Sequence, residues 1–226
     1  MSLTFGLVAE GKTDHPVLAQ VLRGKFPGRL GPNAIRPRQP LTDETSAHAT
    51  GTGWGGWMQV FAYLKNRIFE NDLATLDYLI VQIDADCCED KGFDVPRREN
   101  GLELDVQALV RRIIRRLRRE AGCDSLRLHG KRILFAVAVN EIECWLLPLW
   151  ESQPAKQKAI LNCTARLFEA QKSRGEKRSI RKDSPETFRL AAEQLAKPAA
   201  LRDTATKQES LATFVKELDR VKFPEP

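Results

Sequence analysis

Three short, unbroken apolar runs constrain this chain most: TFGLVA at residues 4–9, YLIVQI at 78–83 and RILFAVAV at 132–139. Strands of a parallel sheet read this way, because helices cover both of their faces and leave no polar side. A weaker run, NAIRP around Ile35, is expected to end at Pro37, which has no N–H to give a sheet ladder. The spacers carry helical periodicity. Residues 14–25 place Val17, Leu18, Val21 and Leu22 on one face, and 57–70 do the same with Val60, Phe61, Leu64 and Ile68. Residues 105–120 carry a full stripe of Val106, Leu109, Val110, Ile113, Ile114 and Leu117. The order β-α-β-α-β-α-β predicts an α/β fold, a parallel sheet flanked by helices with right-handed crossovers. Beyond Asn140 the strand signals stop. Helical patterns at 155–171, 185–195 and 207–221 surround the polar run KSRGEKRSIRKDS, expected to be a loop. The chain therefore divides into an α/β domain over 1–150 and a helical C-terminal subdomain over 151–226.

At 226 residues, with 42% apolar and 29% charged residues, the chain has enough apolar material for a sizeable core. Its net charge of +6 is compatible with a polyanionic partner, though the distribution of charge says more than the sum. The five cysteines are Cys87, Cys88, Cys123, Cys144 and Cys163. The odd count, the adjacent pair and the lack of any C-x-x-C argue against a disulfide framework or structural zinc, and for a reducing cytosol. No apolar run approaches the length of a bilayer span, and no signal peptide is visible. A cytoplasmic protein with no membrane association is expected.

Ligand chemistry in parallel α/β sheets collects at the carboxyl ends of the strands. Three of the runs end on acids: Glu10 in VAEGKTD, Asp84 and Asp86 in VQIDADCCED, and Glu141 and Glu143 in VNEIECW. A parallel sheet puts them all along one edge, where like charges raise one another's pKa unless a cation compensates. Several carboxylates without His favour Mg²⁺ or Mn²⁺ over zinc. In extended geometry Asp84 and Asp86 point the same way and reach one cation. Other roles stay open for part of the set. Asp14 or Thr13 also suits a helix cap, and Asn140 followed by two acids also suits a capped helical turn.

The order VAEGKTD, helix, then IDAD after a later strand resembles a Toprim domain, the α/β metal-binding module of primases, topoisomerases and OLD-family nucleases. NEIECWLL is similar to an element of small Toprim-like proteins associated with phage defence. The resemblance covers residues 3–150. It implies Mg²⁺-dependent phosphodiester chemistry with Glu10, Asp84 and Asp86 as catalytic and metal-holding residues, Glu10 serving as ligand or as base through metal-bound water. It also implies a nuclease in a phage-defence setting, restrained by an ATPase partner. The two cysteines after IDAD depart from the pattern, and no dedicated general base can be assigned. IDAD also resembles the D-x-D of GT-A glycosyltransferases, which need no Glu10. A degenerate Toprim-like module that only binds nucleic acid or a partner protein is the non-catalytic alternative.

Basic residues suit a nucleic-acid partner. RRIIRRLRRE places Arg111, Arg112, Arg115, Arg116, Arg118 and Arg119 around the apolar stripe, Lys12 lies beside Glu10, and KSRGEKRSIRK adds a second patch. A solvated helix surface accounts for the same arginines. Trp54 and Trp57 are candidate stacking aromatics, with core packing the alternative for Trp57. GTGWGG has dinucleotide-fingerprint spacing but follows no strand, so it is expected to be a loop near the acidic edge. Cys87 and Cys88 beside the acids are expected to have raised thiol pKa values and no nucleophilic role.

Overall fold

A computed structural model describes residues 3–40 and 56–224. Its centre is a four-stranded, all-parallel sheet in the order β2-β1-β3-β6, built from β1 (Phe5–Val8), β2 (Ile35–Gln39), β3 (Tyr78–Asp84) and β6 (Ile133–Ala138). A two-residue antiparallel pair, β4 (Arg98–Glu99) and β5 (Leu102–Glu103), interrupts the β3–β6 connection. Each apolar run is thus a strand, and β1, β3 and β6 are buried along nearly all their length. β2 runs through Pro37 to Gln39, contrary to the expected stop. It is the sheet's edge strand, where a missing N–H leaves no ladder bond unmade on the open side.

Two apolar layers sandwich the sheet. One face is covered by α2 (Trp57–Lys65), α3 (Ile68–Leu73) and α4 (Val106–Ala121), which supply Val60, Leu64, Phe69, Leu109, Ile113 and Leu117. The expected single helix over 57–70 is broken at Arg67, whose φ of 57° is left-handed. A short α5 (Cys123–His129) leads into β6.

The other face is covered by α1 (Asp14–Lys25) together with the C-terminal helices. After β6 the chain forms a 3₁₀ turn (Ile142–Leu146), α6 (Leu147–Trp150), α7 (Pro154–Gln157), α8 (Cys163–Ser173), α9 (Pro185–Ala191) and a second 3₁₀ turn (Glu193–Ala196). It ends with α10 (Pro198–Lys207), α11 (Glu209–Glu217) and a last 3₁₀ turn (Leu218–Arg220). Leu167, Phe188, Leu195, Leu211 and Phe214 from these helices join one core with Val17, Leu18, Val21 and Leu22 of α1. The segment after residue 150 therefore packs as a layer of the sheet's own core. Gly24 marks the closest approach: a Cβ there would lie 2.0 Å from the Leu195 carbonyl oxygen.

An unpaired strand edge invites association, and here the chain covers it itself. α11 packs against β6, where Ser210 Oγ accepts from the Val139 amide at 3.4 Å and from Trp145 Nε1 at 2.8 Å. Arg220 reaches the Ile133 and Gly130 carbonyls at 3.4 and 2.7 Å.

The cysteine spacing misled in one respect. Cys144 and Cys163 form a disulfide, their Cα atoms 4.9 Å apart. The fold brings the 3₁₀ turn against the start of α8, a proximity that spacing along the chain does not encode. Among the described residues, no helix is long and apolar enough to cross a membrane.

Candidate acidic site

Register places the acids. Val8 stands opposite Val81, so the chain leaving β1 delivers Glu10 beside the end of β3. Asp84 stands opposite Ala138, so the chain leaving β6 carries Asn140, Glu141 and Glu143 past the same edge. α1 begins there too, with Asp14 in its first turn.

Glu10 and Asp84 are joined directly. The Asp84 amide donates to Glu10 Oε2 at 3.1 Å. Gln82, 0% exposed, ties both residues from beneath: its Oε1 accepts from the Glu10 amide at 3.1 Å and its Nε2 donates to Asp84 Oδ1 at 2.8 Å. Alternation along β3 puts Gln82 and Asp84 on one face, so this strand supplies both the carboxylate and its brace. Gly56, the last residue of GTGWGG, donates its amide to the Glu10 carbonyl at 2.8 Å. The rest of GTGWGG, expected to be a loop, lies outside the described residues, and so does Trp54. Trp57 packs at 5.2 and 5.4 Å from the rings of Phe61 and Phe93, which is the core-packing alternative.

Asp14 belongs to the site and does not cap α1. Thr13 occupies the N-cap position without a side-chain cap bond, while Asp14, 5% exposed, accepts from the Gly11 amide at 2.7 Å. Asp84 and Asp86 do not share extended geometry. β3 ends at Asp84, and the chain then turns, its Ala85 and Asp86 amides donating to the Asn140 carbonyl at 2.9 and 3.0 Å. Asp84 is half-buried inside the cluster, whereas Asp86 is exposed at its rim, accepting from the Cys87 amide at 2.8 Å.

The two glutamates after β6 also part ways. Glu141 is used on α8: Oε1 accepts from the Thr164 amide at 2.9 Å and Oε2 from the Thr164 hydroxyl at 2.7 Å. Glu143 is buried, and its charge acts on both Asp14 and Asp84. Asn140 is no cap either: its side-chain amide donates to the Ile160 carbonyl, and Glu141 holds the N-cap position of the 3₁₀ turn.

Buried carboxyls without water hold their protons, and neighbouring acids add to that. Burial above all pushes Glu10 to about 7 against the Asp84 amide, with Asp86 adding to the rise. Burial pushes Asp14 to about 8, with Glu143 and Glu10 contributing. Asp84 is raised well above the carboxylate range by burial, then by Asp14, Glu10, Glu143 and Asp86. Glu143 is raised by burial and by Glu141, with a backbone hydrogen bond, the Thr164 side chain and then Lys182 pulling the other way. Burial and then Asp86 push the Cys87 thiol to about 12, and burial raises Cys88, the direction expected for both.

The donor set, carboxylate oxygens from three chain segments, suits a hard divalent cation. Among the described residues no three Asp, Glu, His or Cys side chains stand as a group that holds a metal ion. Mg²⁺ keeps several waters and takes one or two carboxylates directly.

The basic helix divides as well. Arg116 is structural, donating to the Phe93 and Gly92 carbonyls at 2.9 and 2.7 Å and pairing with Glu120. Arg112 pairs with Glu99 at 2.6 Å. Arg111, Arg115, Arg118 and Arg119 are exposed, and Lys12 is half-buried in the turn before α1.

The residues that sequence reasoning missed are Asp14 as a member of the site and Gln82 as its brace. Gln82 did leave a signal, as the one polar residue inside the apolar run YLIVQI.

Comparison with known protein families, with curated proteins and with solved structures returns no match.

Proposed function

We propose that the acidic edge binds Mg²⁺ or Mn²⁺ and that the protein is a metal-dependent nuclease hydrolysing phosphodiester bonds of RNA or DNA. One observation carries this reading. Glu10, Asp14, Asp84 and Glu143 lie along the carboxyl edge of a parallel sheet, each raised by burial and by at least one other acid near it. Holding several carboxyls together costs free energy unless a cation compensates, and a binding site is the ordinary reason to keep such an arrangement. A divalent cation bound there supplies charge stabilisation for the attacking and leaving oxygens of a phosphodiester.

The chain's own residues have distinct parts. Glu10 and Asp84 are held in register by Gln82 and by the Asp84 amide, so they present a fixed pair of oxygens to a cation. Asp86 stands at the rim, where a hydrated ion or the substrate meets solvent. Glu143 and Asp14 are buried. Exposed Arg111, Arg115 and Arg119 are suited to a phosphate backbone. The Toprim resemblance of VAEGKTD and IDAD supports the same chemistry. It extends the proposal to a phage-defence effector restrained by an ATPase partner.

The deciding experiment incubates the purified protein with labelled RNA, single-stranded DNA and duplex DNA in Mg²⁺, Mn²⁺ or chelator. Metal-dependent cleavage lost in both Glu10→Gln and Asp84→Asn is the expected result. Cleavage that survives either substitution sinks the assignment.

A further inference from the structure

Beside the acidic edge lies a groove of about 600 Å³ that the metal chemistry does not use. Its walls are the start of α8, with Asn162, Thr164 and Phe168, and the chain after α8, with Ile180 and Lys182. Glu141 closes one end, and Glu169 is a second acid on the lining. Both oxygens of Glu141 are already engaged by Thr164, so its position is part of the wall. Two residues further on is Glu143 of the acidic cluster, and the charge of Lys182 acts on it. The groove therefore lies against the chain segment that carries Glu143.

Two features of the groove suit a ligand. Phe168 lines it with its side of α8 turned to solvent, and the residue is 42% exposed. Lys182 ends the run KSRGEKRSIRK, in which Lys172, Arg174, Lys177, Arg178, Arg181 and Lys182 are all exposed against the single acid Glu176. An accessible aromatic face in a concave cleft with a cation beside it is how proteins hold unpaired bases, and Lys182 is the cation on this lining, against the acids Glu141 and Glu169. Bases inside a duplex are already stacked on each other, and a cleft of small-ligand size does not admit a double helix.

We infer that this groove takes single-stranded nucleic acid, with Phe168 stacking on a base and Lys182 contacting a phosphate, and that it feeds the strand to the acidic edge. The inference rests on the nuclease reading for its purpose, but strand binding is measurable without cleavage. Fluorescence anisotropy in chelator, using labelled oligo(dT) and oligo(U) of about 12 nucleotides and a duplex of the same length, tests it. The expected result is single-strand binding that Phe168→Ala weakens about tenfold or more and Phe168→Trp preserves. Lys182→Ala is expected to weaken binding and flatten the logarithmic salt dependence by about 0.7. The two oligonucleotides separate RNA from DNA as the strand. Melting temperatures equal to that of the unaltered protein establish that the variants fold. A duplex bound as tightly as the single strands, or affinity unchanged by Phe168→Ala, overturns the inference. Single-strand binding with these dependences but no cleavage in Mg²⁺ or Mn²⁺ upholds the groove and overturns the nuclease reading alone.

Discussion

Glu10 Oε2 accepts a hydrogen bond from the Asp84 backbone amide at 3.1 Å, although the two residues are 74 positions apart. Adjacent parallel strands make that contact, and it ties the first acid of the chain to the end of the third sheet strand. The bond favours the charged form of Glu10, yet burial outweighs it and leaves the carboxyl raised. The pair is set in place, and charge is what it lacks.

The metal-free protein is expected to lose stability as pH rises. Glu10 and Asp14 titrate at about 7 and about 8 in the fold, against ordinary values of 4.5 and 3.8. Across that window the folded chain holds more protons than the unfolded one, so stability falls with increasing pH. Thermal melts in chelator from about pH 5 to about pH 8 should show a falling Tm. Asp14→Asn should flatten the fall, and Mg²⁺ should restore Tm mainly at the upper end, where the ligands are deprotonated. A Tm that is level or rises over this range contradicts the buried cluster.

Gln82→Leu removes the brace and leaves the Glu10 amide and Asp84 Oδ1 without it. Unmade buried hydrogen bonds cost about 1–3 kcal/mol each, and each kcal/mol lowers Tm by about 2–4 °C at this size. Cleavage should fall with the alignment of Glu10 and Asp84, and added Mg²⁺ should not rescue it. Full activity in a protein with lowered Tm would reduce Gln82 to a core residue.

The two glutamates after β6 should behave differently. Glu141→Gln weakens the hold on Thr164 at the start of α8, a capping loss of about 0.5–2 kcal/mol, while metal-dependent cleavage persists. Glu143→Gln should reduce cleavage about 10²-fold or more with the fold intact. Parallel denaturant melts and cleavage assays on the two variants compare them directly, and equal loss of activity would return Glu141 to the site.

Gly24→Ala tests how the C-terminal helices dock. The added Cβ meets the Leu195 carbonyl, a backbone atom that cannot rotate away. Overpacking of this kind costs about 1–3 kcal/mol, with larger values where backbone must move. Circular dichroism should show an earlier melt, and an unchanged Tm would mean that the last helices are not packed against α1.

Much of this architecture was legible in the residues. The strands at 5–8, 78–84 and 133–138 follow the apolar runs nearly residue for residue, because strands buried on both faces have no room for polar side chains. The helix over 106–121 follows its 3.6-residue stripe for the matching reason. Legibility failed where partners come from elsewhere in the chain. Pro37 reads as a strand stop until β2 is seen at an edge, and Asp14 reads as a cap until Gly11 and the acids surround it. Cys144 and Cys163 read as thiols until two segments 19 residues apart in sequence are folded together.

The sequence by itself determined the order of strands and helices in the α/β part and the edge on which acids collect, since both follow from local periodicity and from where each apolar run stops. Tertiary structure decided which acids meet. It buried Asp14 and Glu143 with Glu10 and Asp84, sent Glu141 to Thr164, left Asp86 at the rim and set Gln82 beneath the pair. The physical reason is that a carboxyl's role depends on the partners and dielectric around it. Those are supplied by strand register and helix packing, which no single stretch of chain contains.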